Sequence, residues 1–171
     1  MDQTIETLLP EYMQNWVNEH AAKFKRFGLK DADAKRLALL PLRATLPDIA
    51  AISSSTECDM GKAADAFYRV TETFQIGRLE HLALQLDTDD YFDGLAQQRA
   101  LDTIYSARNA ITVAALTANQ SEPKVAIDDW IDRNKTRIAR VKTRISELTG
   151  GGNLTVSRLT VAAGLLTDLV G

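Results

Sequence analysis

Residues 124–149 read KVAIDDWIDRNKTRIARVKTRISELT. Within them Ile127, Ile131, Asn134, Ile138, Val141, Ile145 and Leu148 fall at alternating steps of four and three. Those steps straddle the 3.6-residue turn, so they hold the side chains on one stripe of an α-helix. The expectation is a continuous helix over 124–149, with an apolar seam interrupted by a polar position at Asn134. Gly150-Gly151-Gly152 must end it, because glycine brings a high backbone entropy cost and no side chain to offset it. Val156 to Val170 then reads as a last apolar helix, capped by Asn153 or Thr155, with Leu159, Ala162, Ala163, Leu166 and Leu169 on its buried face. Two amphipathic helices joined by a glycine turn are expected to fold back as an antiparallel hairpin.

Working upstream, the helical period persists. Ile5, Leu8, Leu9, Tyr12, Met13, Trp16, Val17, Ala21 and Phe24 share a stripe. Pro10 suits the first turn of that helix, and Gly28 suits its left-handed stop. Asp31 and Asp33 open a second helix with Ala34, Leu37 and Leu40 inward. Pro41 and Pro47 are expected to divide the next stretch, with a short helix from Pro47 to about Ile52 and a loop over Ser53–Thr56. Asp59 should cap a helix over Met60–Gln75 that buries Ala63, Ala64, Phe67, Val70 and Phe74, with Gly77 as the break after it. Leu79, Leu82, Ala83 and Leu86 make a shorter helix. Asp87-Thr88-Asp89-Asp90 opens a long one, from about Asp90 to Ala118, carrying Phe92, Leu95, Ala96, Ile104, Ala107, Ile111 and Ala115. The fold class is therefore all-α: a single-domain multi-helix bundle over 1–171 that ends in a helical hairpin.

Composition agrees with that class. Of 171 residues, 23 are alanine and 21 leucine, while aromatics make up 6% and only 9 glycines and 4 prolines occur. A β-sandwich or barrel would need more β-branched, aromatic and turn residues. The net charge of −3 offers no positive field to attract nucleic acid. Cys58 is the only cysteine, so no intrachain disulfide can form. His20 and His81 are too few and too far apart for a zinc site with Cys58. No apolar run approaches the ~18–20 residues that span a bilayer. The first eleven residues carry Asp2, Glu6 and Glu11 and no basic side chain, unlike a secretory signal. The expected location is the cytoplasm, with no membrane partner.

Four features could carry chemistry. Asp87, Asp89, Asp90 and Asp93 cluster, yet a calcium loop started at Asp87 would have Tyr91, Phe92 and Gln98 where a ligand, a glycine and a glutamate are required. Carboxylates favoured by the positive end of a helix explain them better. The glycine triplet follows a helix and lacks the last glycine of a dinucleotide-binding turn. Cys58 stands between Glu57 and Asp59, which disfavour a thiolate. The strongest feature is a row of Arg133, Arg137, Arg140 and Arg144 along one flank of the seam, near Trp130. Its guanidinium groups suit an acidic protein surface or phosphates. Asp128, Asp129, Asp132 and Glu147 are spaced to pair with it, and no aromatic interleaves it to stack bases. These five residues, Trp130 included, are the candidate partner interface; no catalytic, cofactor-binding or metal residue is assigned.

The ordered set Gly28-Leu29, Leu46-Pro47-Asp48-Ile49, Ala66-Phe67-Tyr68-Arg69-Val70, Phe74 to Leu79, Phe92 to Ala96, Leu101 to Tyr105, Trp130-Ile131, the arginine-rich helix and Leu154 to Leu169 spans nearly the whole chain. It resembles the C-terminal helical domain of the large bacterial NAD-specific glutamate dehydrogenases. Phe92 stands where many relatives have tryptophan, which keeps an aromatic anchor, and no tryptophan occurs near Leu79. The resemblance implies a noncatalytic assembly or regulatory appendage. It also implies an upstream dehydrogenase core in the same polypeptide, which binds NAD and oxidatively deaminates L-glutamate, and a homo-oligomeric parent. No residue here matches the core's motifs, so none of its roles is transferred. The competing expectation is a free-standing helical module that binds an anionic partner through the arginine row.

Overall fold

The computed structural model describes residues 11–43, 46–120, 122–151 and 154–170. Its described residues are helical with short connections, and they group into two compact units, Met1–Asp65 and Ala66–Gly171. The expected stripe over Ile5, Leu8 and Leu9 and the helix start at Pro10 lie outside the described residues, as do Asn153 and Gly152.

The first unit holds α1 (Glu11–Arg26), α2 (Asp31–Arg43), α3 (Leu46–Thr56) and the start of α4 (Met60–Thr73). The helix α1 buries Val17 and Ala21 and packs against α2, which buries Ala34 and Ala38. Gly28 stops α1 at φ +93°, a conformation that an L side chain resists. Three expectations fail here. Leu37 is exposed rather than inward, and Ala38 takes the buried position. The helix α2 continues through Pro41 to Arg43; a proline in a last turn removes one donor and leaves the earlier turns intact. The segment Ser53–Thr56 is helical, not a loop, and its hydroxyls stay within the helix: Thr56 Oγ1 donates to Ile52 O at 2.7 Å and Ser55 Oγ to the same oxygen at 3.2 Å. Glu57, left-handed at φ 53°, ends the helix instead. Asp59 caps α4 as expected, its Oδ1 accepting from Lys62 N at 2.9 Å.

The second unit holds the rest of α4, then α5 (Ile76–Leu84), α6 (Tyr91–Ala118), α7 (Pro123–Arg133), α8 (Lys135–Thr149) and α9 (Val156–Asp168). The 28-residue helix α6 is the spine, about 42 Å long. It packs on α9, α7 and α5. Its buried positions Ala100, Leu101, Ile104, Ala107, Arg108, Ile111, Thr112 and Ala115 follow the helical repeat. The helix α9 answers with Leu159, Ala162, Ala163 and Leu166, and alanines on both helices permit a close approach of their axes. Asp90 caps α6, its carboxylate accepting from Phe92 N at 2.9 Å, and Thr155 caps α9 by accepting from Arg158 N at 3.2 Å. The helices α8 and α9 form the expected antiparallel hairpin: an Arg137 guanidinium near the start of α8 donates to Asp168 O at the end of α9. At the turn, a Cβ on Gly150 would lie 2.7 Å from Ser146 O, so the position requires glycine.

Three further expectations are corrected in this unit. The break after α4 falls at Gln75, left-handed at φ 51°, while Gly77 lies inside α5. Phe92 and Leu95 do not join the buried stripe of α6; both are exposed. The helix over 124–149 is two helices jointed at Asn134, whose ψ of 13° leaves the helical range. Asn134 Nδ2 donates to Trp130 O at 2.9 Å, while its own N–H is shared between Trp130 O and Ile131 O. A short amide side chain that competes for backbone carbonyls loosens the helix where it stands. After the joint the seam runs as expected, over Ile138, Val141, Ile145 and Leu148. Before it the buried face turns to Ala126, Ile127 and Trp130, and Ile131 is half-buried.

Candidate functional site

Burying Ile138, Val141, Ile145 and Leu148 turns the opposite flank of α8 outward, where Arg137, Arg140 and Arg144 are exposed; Arg133, exposed as well, ends α7 just before the joint. Lys135 and Lys142 on α8 are exposed as well. The carboxylates spaced to neutralise this row do so only in part. Arg144 pairs with Glu147 at 3.2 Å. Asp128 instead meets Arg69 of α4 at 3.4 Å, and Asp129 accepts from Asn119 Nδ2 at 2.9 Å. Arg133 Nε donates to the Asp129 backbone oxygen at 3.3 Å, and Arg137 donates to the Asp168 backbone. Arg140 makes no ion pair among the described residues. A backbone carbonyl orients a guanidinium without cancelling its charge, so the row keeps a positive face.

Trp130, the fifth candidate, is 5% exposed. Its ring meets Phe74 edge to face, with centroids 6.2 Å apart, and joins α7 to the end of α4. It holds the segment from which the arginines project and presents no surface of its own.

Several other candidate residues are engaged locally. Asp90 serves as a helix cap. Cys58 is half-buried, and burial followed by the Asp59 carboxylate pushes its thiol up from the ordinary value. His81 Nε2 lies 3.2 Å from Gln85 Nε2 one turn along α5. Among the described residues, no three His, Cys, Asp or Glu side chains gather where a metal could bind, and no helix is long and apolar enough to cross a membrane.

Two features were missed in the sequence. Arg108 is 6% exposed inside the second unit, its guanidinium carbon 4.2 Å from the Phe67 ring centre and 5.0 Å from that of Tyr105. Periodicity alone could have suggested it, since Arg108 falls one turn before Thr112 on the α6 stripe. The other is the exposed pair Tyr91 and Phe92, whose rings meet edge to face at 5.9 Å. Beside them an open groove of about 770 Å³ runs between Asp87, Asp93 and Ala96 and the start of α9.

A family model described as "Glutamate dehydrogenase, C-terminal" matches residues 1–168. The NAD-specific glutamate dehydrogenase of Mycobacterium tuberculosis (strain ATCC 25618 / H37Rv) is 26% identical over 151 residues, covering 86% of this chain. The chain spans 9% of the length of that relative.

Proposed function

The chain belongs to the family of glutamate dehydrogenase C-terminal domains, and from that premise we propose that it is a noncatalytic assembly or regulatory domain. The reaction of the whole protein is then oxidation of L-glutamate by NAD, with water releasing 2-oxoglutarate and ammonium. It takes place on a dehydrogenase core carried elsewhere in a longer polypeptide, in the cytoplasm. On this reading the domain itself takes no dinucleotide. A dinucleotide's phosphates need a glycine turn between a strand and a helix N-terminus, whereas Gly150 and Gly151 follow the helix α8. The single feature that carries the reading is the arginine row, which is exposed, only partly paired and carried by α8, whose other face is spent on the core, and by Arg133 at the end of α7. On this reading it contacts the dehydrogenase core or a neighbouring subunit.

The test is charge reversal in the full-length polypeptide. Replacing Arg133, Arg137, Arg140 and Arg144 by glutamate should lower activity or disrupt the assembly seen by light scattering. If activity and oligomer mass both survive, the row is not a contact surface. Titration calorimetry of the 171-residue chain with NAD should show no micromolar binding; such binding would move a cofactor site into the domain.

A further inference from the structure

Tyr91 and Phe92 are 75% and 74% exposed in the first turn of α6, unusual for large adjacent side chains. Asp87, Asp89, Asp90 and Asp93 flank them, all exposed, and none forms an ion pair among the described residues. Asp90 is engaged as the helix cap, which leaves three carboxylates uncommitted beside the aromatic pair. Leu95 and Val161 extend the exposed apolar surface. Aromatic faces ringed by carboxylates call for a planar, delocalised cation, because a guanidinium stacks on a ring and bonds carboxylates through its edge. An ammonium group is drawn to a ring face too, but has no planar fork with which to stack and pair at once.

The chain carries such a surface itself. On α8, Arg137 to Arg144 spans about 10 Å of helical rise, with Arg133 beyond the Asn134 joint. The Asp87–Asp90 stretch and the first turn of α6 to Asp93 together reach at most about 15 Å, so the two charged rows are commensurate. We propose that the first turn of α6 docks on the α8 arginine row of a second copy of this chain. The proposal rests on α8 being a contact surface and names what meets it. Each copy owns both halves, so the contact either closes as a two-fold pair or continues from copy to copy.

Sedimentation equilibrium of the 171-residue chain at low salt tests this. The wild type should exceed the monomer mass, and added salt should dissociate it. Arg133→Glu, Arg137→Glu, Arg140→Glu and Arg144→Glu combined should give monomers, and so should Asp87→Lys, Asp89→Lys and Asp93→Lys combined. Mixing the two reversed proteins should restore association, since each then offers the complement of the other. Arg140→Glu alone, and Tyr91→Ser with Phe92→Ser, touch only exposed side chains and should each weaken association about tenfold, a loss typical of a central contact. Circular dichroism verifies the helix content of every variant. A wild type that stays monomeric, association indifferent to either reversal, or a mixture that stays monomeric overturns the proposal. If arginine reversal disrupts the full-length assembly while aspartate reversal does not, the contact surface on α8 survives and the self-docking fails.

Discussion

Truncating Trp130 to alanine tests whether this residue serves the fold or a partner. The indole is 5% exposed and lies against Phe74, 6.2 Å between ring centres. Removing a buried tryptophan costs about 3–5 kcal/mol, from lost transfer energy and the cavity left behind. A domain of this size holds about 5–15 kcal/mol in all, so Trp130→Ala should fold but sit near its threshold. The corresponding fall in melting temperature is roughly 15–30 °C for a unit of about one hundred residues. Urea unfolding followed by circular dichroism gives the free energy. The chain has two tryptophans, so the variant's fluorescence reports on Trp16 alone. A double-mutant cycle with Phe74→Leu should return a coupling of about 0.5–1.5 kcal/mol for the edge-to-face pair. A loss below about 0.5 kcal/mol would refute the reasoning, since that is the range of a surface substitution.

Two further outcomes follow from the second unit. Arg108→Met should stay within about 1 kcal/mol of wild type, because methionine fills the space over Phe67 without a charge to desolvate. Arg108→Lys should be the worse of the two in the same urea assay, since its compact, strongly hydrated ammonium loses the stacking; equal stability of the two would contradict this. Tyr105 has its hydroxyl pushed up to about 12, first by burial and then by the Glu80 carboxylate that it faces. The folded value lies above the unfolded one, so the contribution of this group is complete below about pH 10 and is lost as pH rises toward 12. Ultraviolet titration of phenolate should show ionisation continuing toward pH 12, and Tyr105→Phe should reduce that late amplitude.

Legibility in the sequence tracked whether a local rule or a tertiary one governed each residue. The α8 seam, the α9 face, the stop at Gly28 and the caps at Asp59, Asp90 and Thr155 all follow from local pattern, and they form as read. The joint at Asn134 was visible only as a polar seam position. A heptad pattern cannot distinguish a residue that sets register from one that opens the backbone, and the difference lies in the Trp130 carbonyl that Asn134 Nδ2 finds. Glu57 and Gln75 end helices in a left-handed conformation that their side chains do not favour, so no propensity rule marks them. Phe92 lies a turn before Ala96 and reads as part of the stripe. The groove beside α9 reaches Asp93 and Ala96 and leaves the ring outside, a matter of where a partner helix begins. The arginine row was fully legible as a pattern. Its incomplete neutralisation was not, because Asp128 and Asp129 turn to Arg69 and Asn119 on other elements.

The joint at Asn134 also sets how the chain tolerates changes in length. Adding one residue to an unbroken helix swings everything beyond it by about 100°, which would throw Ile138, Val141, Ile145 and Leu148 into water. Where the ladder is already open, an extra residue enters a swivel rather than a shaft, and each side keeps its own phase. An insertion at Asn134 should therefore cost less stability than the same edit at the middle of α6, which would misalign the whole spine.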